Sequence, residues 1–422
     1  MKAIKTIEKL DATVTIPGSK SFTQRALIIA SLAKGQSFLR NALISEDTMY
    51  LIDALRMLGA VILISKEDII VSGTDGIPQN PGKRIYVSNN GTALRFLTTL
   101  ASLGRGPFMI DGTERLRQRP IQPLIDALRS LGVRCYSAHG TGYPPVTVEG
   151  GNFEGGSVTC TNIESSQYIS SLLIGAPRAR RDVTILMRGV NVSLPYIDMT
   201  IAVMSHFGVS VVIKNNTEYF IRTPQSYKGR KYIIESDASS ASYFLLAAAL
   251  CRGKVRILNI NPHTLQGDIG FVDILEEIGC HVERGHNYIE VVGRKPERGD
   301  MVFNMAHMPD MVPSLAVLSA LRPGRTKIIG VPHLRIKESN RIASLVAELN
   351  RIGIPTHAMP DGLVINGGKP PHGDEIETYE DHRIAMSFAV AGLVVKGITI
   401  KNEDCVAKSF PDFWHTLDGL YT

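Results

Sequence analysis

Six short polar segments stand where apolar helices are predicted to begin, and their residue types suit the binding of anions. They are 18–25, 89–95, 164–168, 235–240, 308–311 and 380–383. A helix N-terminus offers unpaired N–H groups and a partial positive charge, which bind phosphate and carboxylate. Ser, Asn and Asp also cap helices at such positions, and capping by itself explains Ser19, Asp237 and Asp310.

Cations in these segments need a different explanation. Lys20, Arg25, Arg95, His382 and Arg383 fall in the first turns of the predicted helices, where a positive charge opposes the helix dipole. An anion bound beside the helix ends is the simplest reason for these cations.

Two further basic segments, 115–119 and 335–341, contain more candidates for chemistry. Arginine binds carboxylate and phosphate oxygens bidentately, whereas lysine acts as a movable point charge. Taken singly, either segment is also compatible with an ordinary solvated face. The second segment contains Glu338, which together with Asp310 is a candidate for proton transfer.

Common cofactor and metal motifs do not fit the sequence. Segment 18–21, Gly-Ser-Lys-Ser, lacks the earlier Gly and the Gly-Lys step of a P-loop. No Gly-x-Gly-x-x-Gly follows a predicted strand, and His372 with Glu375 lies too close to Pro and Gly for a metal site. Asp381 and His382 have no placed serine for a catalytic triad. The sequence therefore predicts no cofactor and no metal.

Two repeating patterns predict the elements that position these side chains. In the first, an apolar helix leads through Gly into a β-branched strand, and the clear glycines are 71, 147, 71 and 73 residues apart: Gly35, Gly106, Gly253, Gly324 and Gly397. In the second, an amphipathic helix ends at a left-handed Gly before a strand, at Gly59, Gly132, Gly208, Gly279, Gly353 and Gly419. Ordinary helix–strand punctuation is the alternative. Two patterns in phase favour six copies of a helix–strand–helix–strand unit, three in each of two similar domains with a boundary near 235.

Composition excludes several classes of protein. The chain has 422 residues, of which 44% are hydrophobic and 20% charged, as in ordinary globular proteins. The longest apolar run, 243–251, is too short to cross a membrane, and the first residues show no secretory signal. A net charge of +6 permits anionic ligands without requiring nucleic acid. Five scattered cysteines indicate reduced thiols and a cytoplasmic location.

In chain order, these motifs resemble the 5-enolpyruvylshikimate-3-phosphate (EPSP) synthase family of enolpyruvyl transferases. The resemblance covers essentially the whole chain and includes Gly18-Ser-Lys-Ser, Asn89-Asn-Gly-Thr, Lys337-Glu-x-x-Arg341, Asp381-His-Arg and Ala407-Lys-Ser-Phe-Pro-Asp. It implies an α/β (α+β) fold of two similar domains, each with three repeated α/β units, whose helix N-termini face an interdomain cleft. One domain is expected to contain 1–17 and 236–422, and the other 18–235.

The resemblance also implies a reaction. The family transfers the enolpyruvyl group of phosphoenolpyruvate to the 5-hydroxyl of shikimate 3-phosphate and releases phosphate. The implied route is addition–elimination through a tetrahedral intermediate, without a metal or cofactor. The expected partners are these two small anions, with no nucleic acid and no membrane, and the expected state is a monomer.

Matching positions carry over the family's site residues. The implied shikimate 3-phosphate ligands are Lys20, Ser21, Arg25, Ser165, Ser166, Gln167, Ser193, Asp310, His333 and Lys337. The implied phosphoenolpyruvate ligands are Lys20, Asn89, Gly91, Arg119, Gln167, Arg341, Arg383 and Lys408. The implied catalytic residues are Asp310, as the base for the 5-hydroxyl, and Glu338 with Lys20, as the proton relay to C3.

Two positions depart from the family's usual pattern. His333 stands where better-known members have an Asn that helps to hold the shikimate phosphate. Because imidazole can donate a hydrogen bond, we expect binding to survive with more dependence on pH. Asn90 replaces the usual small residue, which can change the room beside phosphoenolpyruvate.

Two alternative functions share features with this sequence. The sister enzyme that transfers enolpyruvyl to UDP-N-acetylglucosamine commonly uses a loop cysteine as its acid, and segment 111–119 has none. An RNA-end-processing or RNA-binding protein would suit a pI near 9.0. Its binding would favour aromatic stacking platforms, whereas aromatic residues make up only 6% of this chain.

Overall fold

The computed structural model describes residues 1–189, 192–296 and 298–421. The chain divides into two compact units, Gly18–Ile234 and Met1–Pro17 with Glu235–Thr422. Each unit has its own hydrophobic core, formed by apolar residues that recur along its helices and strands.

Strands β1 (Lys2–Ala3) and β2 (Asp11–Val14) open the chain and belong to the unit that resumes at Glu235. The helices of Gly18–Ile234 are α1 (Lys20–Leu32), α2 (Glu46–Met57), α3 (Gly91–Ala101), α4 (Gln122–Ser130), α5 (Ser166–Gly175) and α6 (Pro195–His206). Its strands are β3 (Gln36–Arg40), β4 (Val61–Ser65), β5 (Asp68–Ser72), β6 (Ile85–Tyr86), β7 (Pro107–Asp111), β8 (Arg134–Ser137), β9 (Val146–Glu149), β10 (Gly156–Thr161), β11 (Val183–Arg188), β12 (Val212–Lys214), β13 (Glu218–Ile221) and β14 (Lys231–Ile233).

The other unit continues with its own series of elements. Its helices are α7 (Ala238–Cys251), α8 (Phe271–Glu277), α9 (Val312–Leu321), α10 (Arg341–Arg351), α11 (His382–Gly392) and α12 (Phe413–Asp418). Its later strands are β15 (Lys254–Ile257), β16 (His281–Arg284), β17 (Ile289–Val292), β18 (Met301–Asn304), β19 (Gly324–Ile329), β20 (Thr356–Met359), β21 (Gly362–Gly367), β22 (Glu375–Ile376) and β23 (Thr399–Ile400).

The sheets repeat one design. In Gly18–Ile234 the strand orders are β14-β3-β5-β4, β6-β7-β9-β8 and β10-β11-β13-β12, each with a parallel first pair followed by antiparallel pairs. In the other unit, β16-β17-β15-β2 and β18-β19-β21-β20 repeat that design, with β2–β15 and β18–β19 as the parallel pairs, whereas β1-β23-β22 has three strands. The predicted α/β class is confirmed.

Three helices form the centre of each core. Nearly every residue of α1, α3 and α5 is buried in the first unit, and the same holds for α7, α9 and α11 in the second. Small hydroxyl side chains allow the helices of the second set to approach closely. Ser314 Oγ lies 3.4 Å from Ser242 Oγ and 3.5 Å from Ser387 Oγ, so equivalent positions of successive repeats meet in the core.

The prediction of a single strand after each amphipathic helix is wrong in detail. A hairpin of two antiparallel strands follows α2, α4, α6, α8 and α10, and the second strand of each hairpin pairs with a strand that follows a central helix. The glycines after these five helices have φ between 88° and 101°, as the pattern predicts. Gly419 is the exception, because its φ of −66° is helical.

Within the described residues, no helix is both long and apolar enough to cross a membrane.

Candidate active site

Lys20 begins α1 and is held by a carboxylate from the next helix. Ser19 caps α1 by accepting from the backbone N–H of Phe22 at 3.5 Å. The Lys20 Nζ lies 3.1 Å from Asp47 Oδ2, and the two side chains are 14% and 6% exposed. This pairing fixes the ammonium at the beginning of the helix, where the first-turn N–H groups also lie.

Arg25 is a buried cation that makes no ion pair with a carboxylate in the described parts of the chain. Its Nε donates to Thr200 Oγ1 at 2.7 Å, and its terminal nitrogens donate to the carbonyls of Ser21 and Tyr196. Burial lowers the pKa of the guanidinium to about 10, so it stays charged at neutral pH. A buried charge that only neutral oxygens solvate favours an anionic ligand nearby.

The turn that opens α3 lies against Arg119. Arg119 Nη1 donates to the carbonyl of Asn89 at 3.4 Å, and the arginine side chain is buried. A Cβ atom added to Gly91 would lie only 2.6 Å from Arg119 Cζ. Glycine at this position therefore allows the guanidinium to lie directly on the first turn of α3.

The beginning of α5 carries several of the predicted binding residues. Ser165 caps the helix through the backbone N–H of Gln167, and Ser166 is the first helical residue. Gln167 Oε1 accepts from Arg95 at 2.6 Å, and Gln167 Nε2 donates to Thr92 Oγ1 at 2.9 Å. Arg95, predicted among the anion-binding cations, thus orients Gln167. Ser193 lies just before α6 in the left-handed conformation, with φ of 59°.

In the other unit, one carboxylate joins two arginines from different helices. Asp310 lies in the 3₁₀ turn Pro309–Met311, before α9. Its Oδ1 accepts from Arg341 Nη1 at 2.8 Å, and its Oδ2 accepts from Arg383 Nη2 at 2.7 Å. Arg341 is the first residue of α10 and Arg383 is the second of α11, so the N-terminal ends of these elements meet at this carboxylate.

Arg341 is surrounded by acids. Besides Asp310, it donates to Glu338 Oε2 at 2.8 Å and to both oxygens of Asp381 at 2.8 and 3.2 Å. Although burial favours the neutral guanidine, the three carboxylates raise the pKa of Arg341 well above its ordinary value. The arginine is therefore permanently charged.

Asp310 is ionised for an electrostatic reason. Burial favours the protonated acid, but Arg383, Arg341 and Lys337 outweigh it and hold the pKa of Asp310 well below its ordinary value. The sequence also indicated that Asp310 would cap the helix. The capping prediction is wrong, because no side chain caps α9 and both Asp310 oxygens accept from arginines. Capping by Ser19 and Asp237 is confirmed.

His333, Lys337 and Lys408 complete this set of predicted residues. His333 and Lys337 lie within and at the end of the 3₁₀ segment Pro332–Ile336, and Lys408 ends the segment Glu403–Lys408. Neither ring nitrogen of His333 has a hydrogen-bond partner among the described residues, although the side chain is buried. Burial, followed by the charge of Lys337, lowers the pKa of His333 to about 3. The imidazole is thus neutral and has both nitrogens available.

Protonation of His333 in the unfolded chain should make the protein less stable in mild acid. Because the folded pKa is about 3 and the ordinary value 6.5, the unfolded state binds more protons as pH falls below 6.5. At pH 5 this costs about 2 kcal/mol. We expect the Tm difference between His333→Asn and the wild type to shift in favour of the variant from pH 7 to pH 5. Parallel Tm curves would contradict the assignment.

Several residues of the site were not predicted from the sequence. Asp47 lies in the first turn of α2, where an acid is common for helix stability alone. Ser239 Oγ accepts a hydrogen bond from Arg383 Nη2 at 3.4 Å and donates a short hydrogen bond to the buried Asp268. Burial, followed by the charge of Asp310, raises the pKa of Asp268 to about 6. No local spacing pattern signals these pairs, since their partners lie far along the chain.

Across residues 1–189, 192–296 and 298–421, no group of three or more His, Cys, Asp or Glu side chains is arranged to hold a metal ion.

Comparison with known proteins identifies the family. The sequence model of the family described as EPSP synthase (3-phosphoshikimate 1-carboxyvinyltransferase) matches residues 4–417. The chain is 40% identical over 422 residues to the 3-phosphoshikimate 1-carboxyvinyltransferase of Syntrophobacter fumaroxidans, covering 99% of each chain. It is 42% identical over 412 residues to that of Methanothermobacter thermautotrophicus, covering 97% of this chain and 96% of the relative.

A solved structure agrees with the sequence comparisons. The EPSP synthase of Acinetobacter baumannii superimposes with a TM-score of 0.81 at 27% identity, covering 99% of this chain and 97% of that one. The similarity therefore extends over the full length of both sequence and fold. The chain belongs to the EPSP synthase (3-phosphoshikimate 1-carboxyvinyltransferase) family.

Proposed function

We propose that the chain transfers the enolpyruvyl group of phosphoenolpyruvate to the 5-hydroxyl of shikimate 3-phosphate by addition and elimination, with release of phosphate. Full-length relatives at about 40% identity are 3-phosphoshikimate 1-carboxyvinyltransferases. This chain has the same activity, which belongs to the shikimate pathway. The observation that carries the proposed chemistry is the carboxylate of Asp310, bonded between Arg341 and Arg383. It places an ionised base among cations suited to anionic substrates.

The direct test measures phosphate release from phosphoenolpyruvate with and without shikimate 3-phosphate. We expect release only when both substrates are present. Release that instead required UDP-N-acetylglucosamine would point to the sister reaction, and a salt-dependent gel shift with RNA, without phosphate release, would point to an RNA-binding protein.

We assign shikimate 3-phosphate to a first set of the predicted residues. The buried charge of Arg25 and the hydroxyls at the beginning of α5 support the assignment, because both suit phosphate and hydroxyl groups. The two ring nitrogens of His333 also support it, since one can donate to a phosphate oxygen as a neutral imidazole. The remaining members of the proposed site are Lys20, Ser21, Gln167, Ser193, Asp310 and Lys337.

We assign phosphoenolpyruvate to a second set of residues, with Arg341 and Arg383 at its centre. Both arginines already bond to Asp310, so the carboxylate and phosphate of the substrate would compete for the same N–H groups. As the substrate neutralises these cations, the pKa of Asp310 should rise toward a range where it accepts a proton effectively. The other proposed ligands are Lys20, Asn89, Gly91, Arg119, Gln167 and Lys408.

The proposed steps use three side chains. Glu338 and Lys20 relay a proton to C3 of phosphoenolpyruvate, and Asp310 removes the proton of the 5-hydroxyl as its oxygen attacks C2. The tetrahedral intermediate then loses phosphate from C2 while the Glu338–Lys20 relay takes back a proton from C3, which re-forms the C2–C3 double bond as the enol ether of the product. The ion pairs of Glu338 with Arg341 and of Lys20 with Asp47 support these roles, because they hold both groups in place.

Replacing Gly91 by Ala should weaken phosphoenolpyruvate binding specifically. The new methyl group would displace the Arg119 guanidinium, whose Cζ lies 2.6 Å from the added Cβ. Loss of a charge-assisted contact costs about 1.5–3 kcal/mol, so we expect the KM for phosphoenolpyruvate to rise roughly tenfold or more. The KM for shikimate 3-phosphate serves as the internal control. Equal KM values for phosphoenolpyruvate in variant and wild type would remove Arg119 from the proposed site.

We also propose that the two compact units are the two enolpyruvyl-transferase domains of three repeats each, and that their helix N-termini face a shared cleft. The sheet design repeated within each unit supports this proposal. Repulsion between cationic helix ends should keep the empty domains apart, and anions should draw them together. Small-angle scattering should then give a smaller radius of gyration with shikimate 3-phosphate and an inhibitory phosphoenolpyruvate analogue; an unchanged radius would contradict closure.

A monomeric state and a cytoplasmic location stay predictions.

A further inference from the structure

Asn90, which replaces the usual small residue of the family, uses its side-chain amide within the protein. It is the N-cap of α3, and its Oδ1 accepts from the backbone N–H of Ala93 at 2.9 Å. Its Nδ2 donates to the backbone carbonyl of Asp47 at 2.7 Å, and the side chain is only 1% exposed. The amide therefore ties the first turn of α3 to the first turn of α2.

The other end of this connection is Lys20. Asp47, whose carbonyl accepts from Asn90, pairs through its side chain with Lys20 Nζ at 3.1 Å. Both members of the pair are largely buried. A shift of Asp47 away from α3 would thus move the ammonium of Lys20.

On its other side, Asn90 stands between two proposed phosphoenolpyruvate ligands. Asn89 precedes it and accepts from Arg119 through its carbonyl, and Gly91 follows it and contacts the same guanidinium. One side chain therefore connects Lys20 with the turn that Arg119 contacts. In the proposed site Lys20 and Arg119 bind one small anion, so the distance between them depends on the length of this connection.

We propose that Asn90 is a positioning residue that sets the separation of Lys20 from the Asn89–Gly91 turn, and that it thereby determines affinity for phosphoenolpyruvate. This inference rests on the proposed function, because it takes Lys20, Gly91 and Arg119 as ligands of that substrate. A smaller residue would not reach from α3 to α2, whereas the side-chain amide of Asn90 joins the two helices by a hydrogen bond.

The test uses two variants that keep the helix cap and lose the donor. Asn90→Ser can still cap α3, but its shorter side chain does not reach the Asp47 carbonyl. Asn90→Asp keeps the shape and the cap, and replaces the donating NH₂ by an oxygen facing that carbonyl. Asn80→Asp is the matched control, because Asn80 also donates to a carbonyl, that of Pro107 at 3.0 Å, and accepts from a backbone N–H, that of Gly82 at 2.8 Å.

We expect Asn90→Ser to raise the KM for phosphoenolpyruvate about two- to tenfold, as for one lost hydrogen bond, and Asn90→Asp to raise it further. The KM for shikimate 3-phosphate should change less than about twofold, since that substrate has anchors such as Arg25 outside this connection. Asn80→Asp should match the wild type in both constants.

Two results would overturn the proposal while the wild type is active. One is an unchanged KM for phosphoenolpyruvate in both variants. The other is an equal loss for both substrates together with a lower Tm, which would give the hydrogen bond from Asn90 to Asp47 a structural role alone. A wild type that releases no phosphate would overturn the proposed function itself, and with it this inference, before any variant is compared.

Discussion

Asp310→Asn should lose between about 10² and 10⁴ in turnover while keeping its fold and its ability to bind both substrates. The carboxylate is the proposed base for the 5-hydroxyl proton, and an amide cannot accept that proton. Binding should persist, because Arg341 and Arg383 remain and the Asp310 carboxylate no longer competes with the substrate for their N–H groups. Calorimetry with shikimate 3-phosphate and steady-state phosphate release measure the two effects separately.

The same variant should also melt at a lower temperature. The new amide can accept from one arginine through its oxygen, but its NH₂ group would face the other guanidinium. Arg341 still has Glu338 and Asp381 as partners, and Asp310 is 22% exposed, so the cost should stay at about 1–3 kcal/mol.

Glu348→Gln is the control for this loss of stability. Glu348 is a fully buried carboxylate in the same unit, and it accepts from Arg351 at 3.0 Å and from Tyr379 at 2.7 Å. The Glu348→Gln variant should be less stable than the wild type and should keep the wild-type turnover. If Asp310→Asn retained full turnover, Asp310 would not be the base, and if it failed to fold while Glu348→Gln folded, its role would be structural.

Some local features of the chain could be predicted from the sequence. Glu338 and Arg341, which the sequence places in one short segment, pair at 2.8 Å across the N-cap of α10. Ser19 and Asp237 cap their helices as their positions indicate. The repeat period also accounts for core contacts, since Ser242, Ser314 and Ser387 meet at matching positions of three helices. These features depend on neighbours in sequence or on the repeat.

Contacts between distant segments could not be predicted in the same way. Asp47 lies 27 residues from Lys20, and Asp310 lies 31 and 73 residues from its two arginines. Such pairs depend on which helix ends the packing brings together, and a first-turn acid has an adequate local reason without them. The cationic residues in the sequence predicted anionic partners. In the structure, carboxylates of the protein itself accept hydrogen bonds from Arg341 and Arg383.

Arg25→Met should weaken shikimate 3-phosphate binding by a factor of about 10 to 150, with a smaller effect on turnover at saturation, because removing a charge-assisted contact costs about 1.5–3 kcal/mol. Methionine is preferred to alanine because Arg25 is buried against the rings of Phe96 and Tyr196, at 5.5 and 5.7 Å from their centroids, and a smaller residue would leave a cavity.

The control and the readout separate anchoring from chemistry. Arg178→Met removes a partly exposed arginine of the same unit that likewise donates to a hydroxyl, that of Ser226, and to a carbonyl, that of Asp75. It should bind shikimate 3-phosphate as the wild type does. Arg25 donates to neutral oxygens in the described parts of the chain, so its charge is available to a phosphate without breaking an ion pair to a carboxylate. If Arg25→Met bound the substrate normally by calorimetry and lost only turnover, Arg25 would act in the chemistry and not as the anchor.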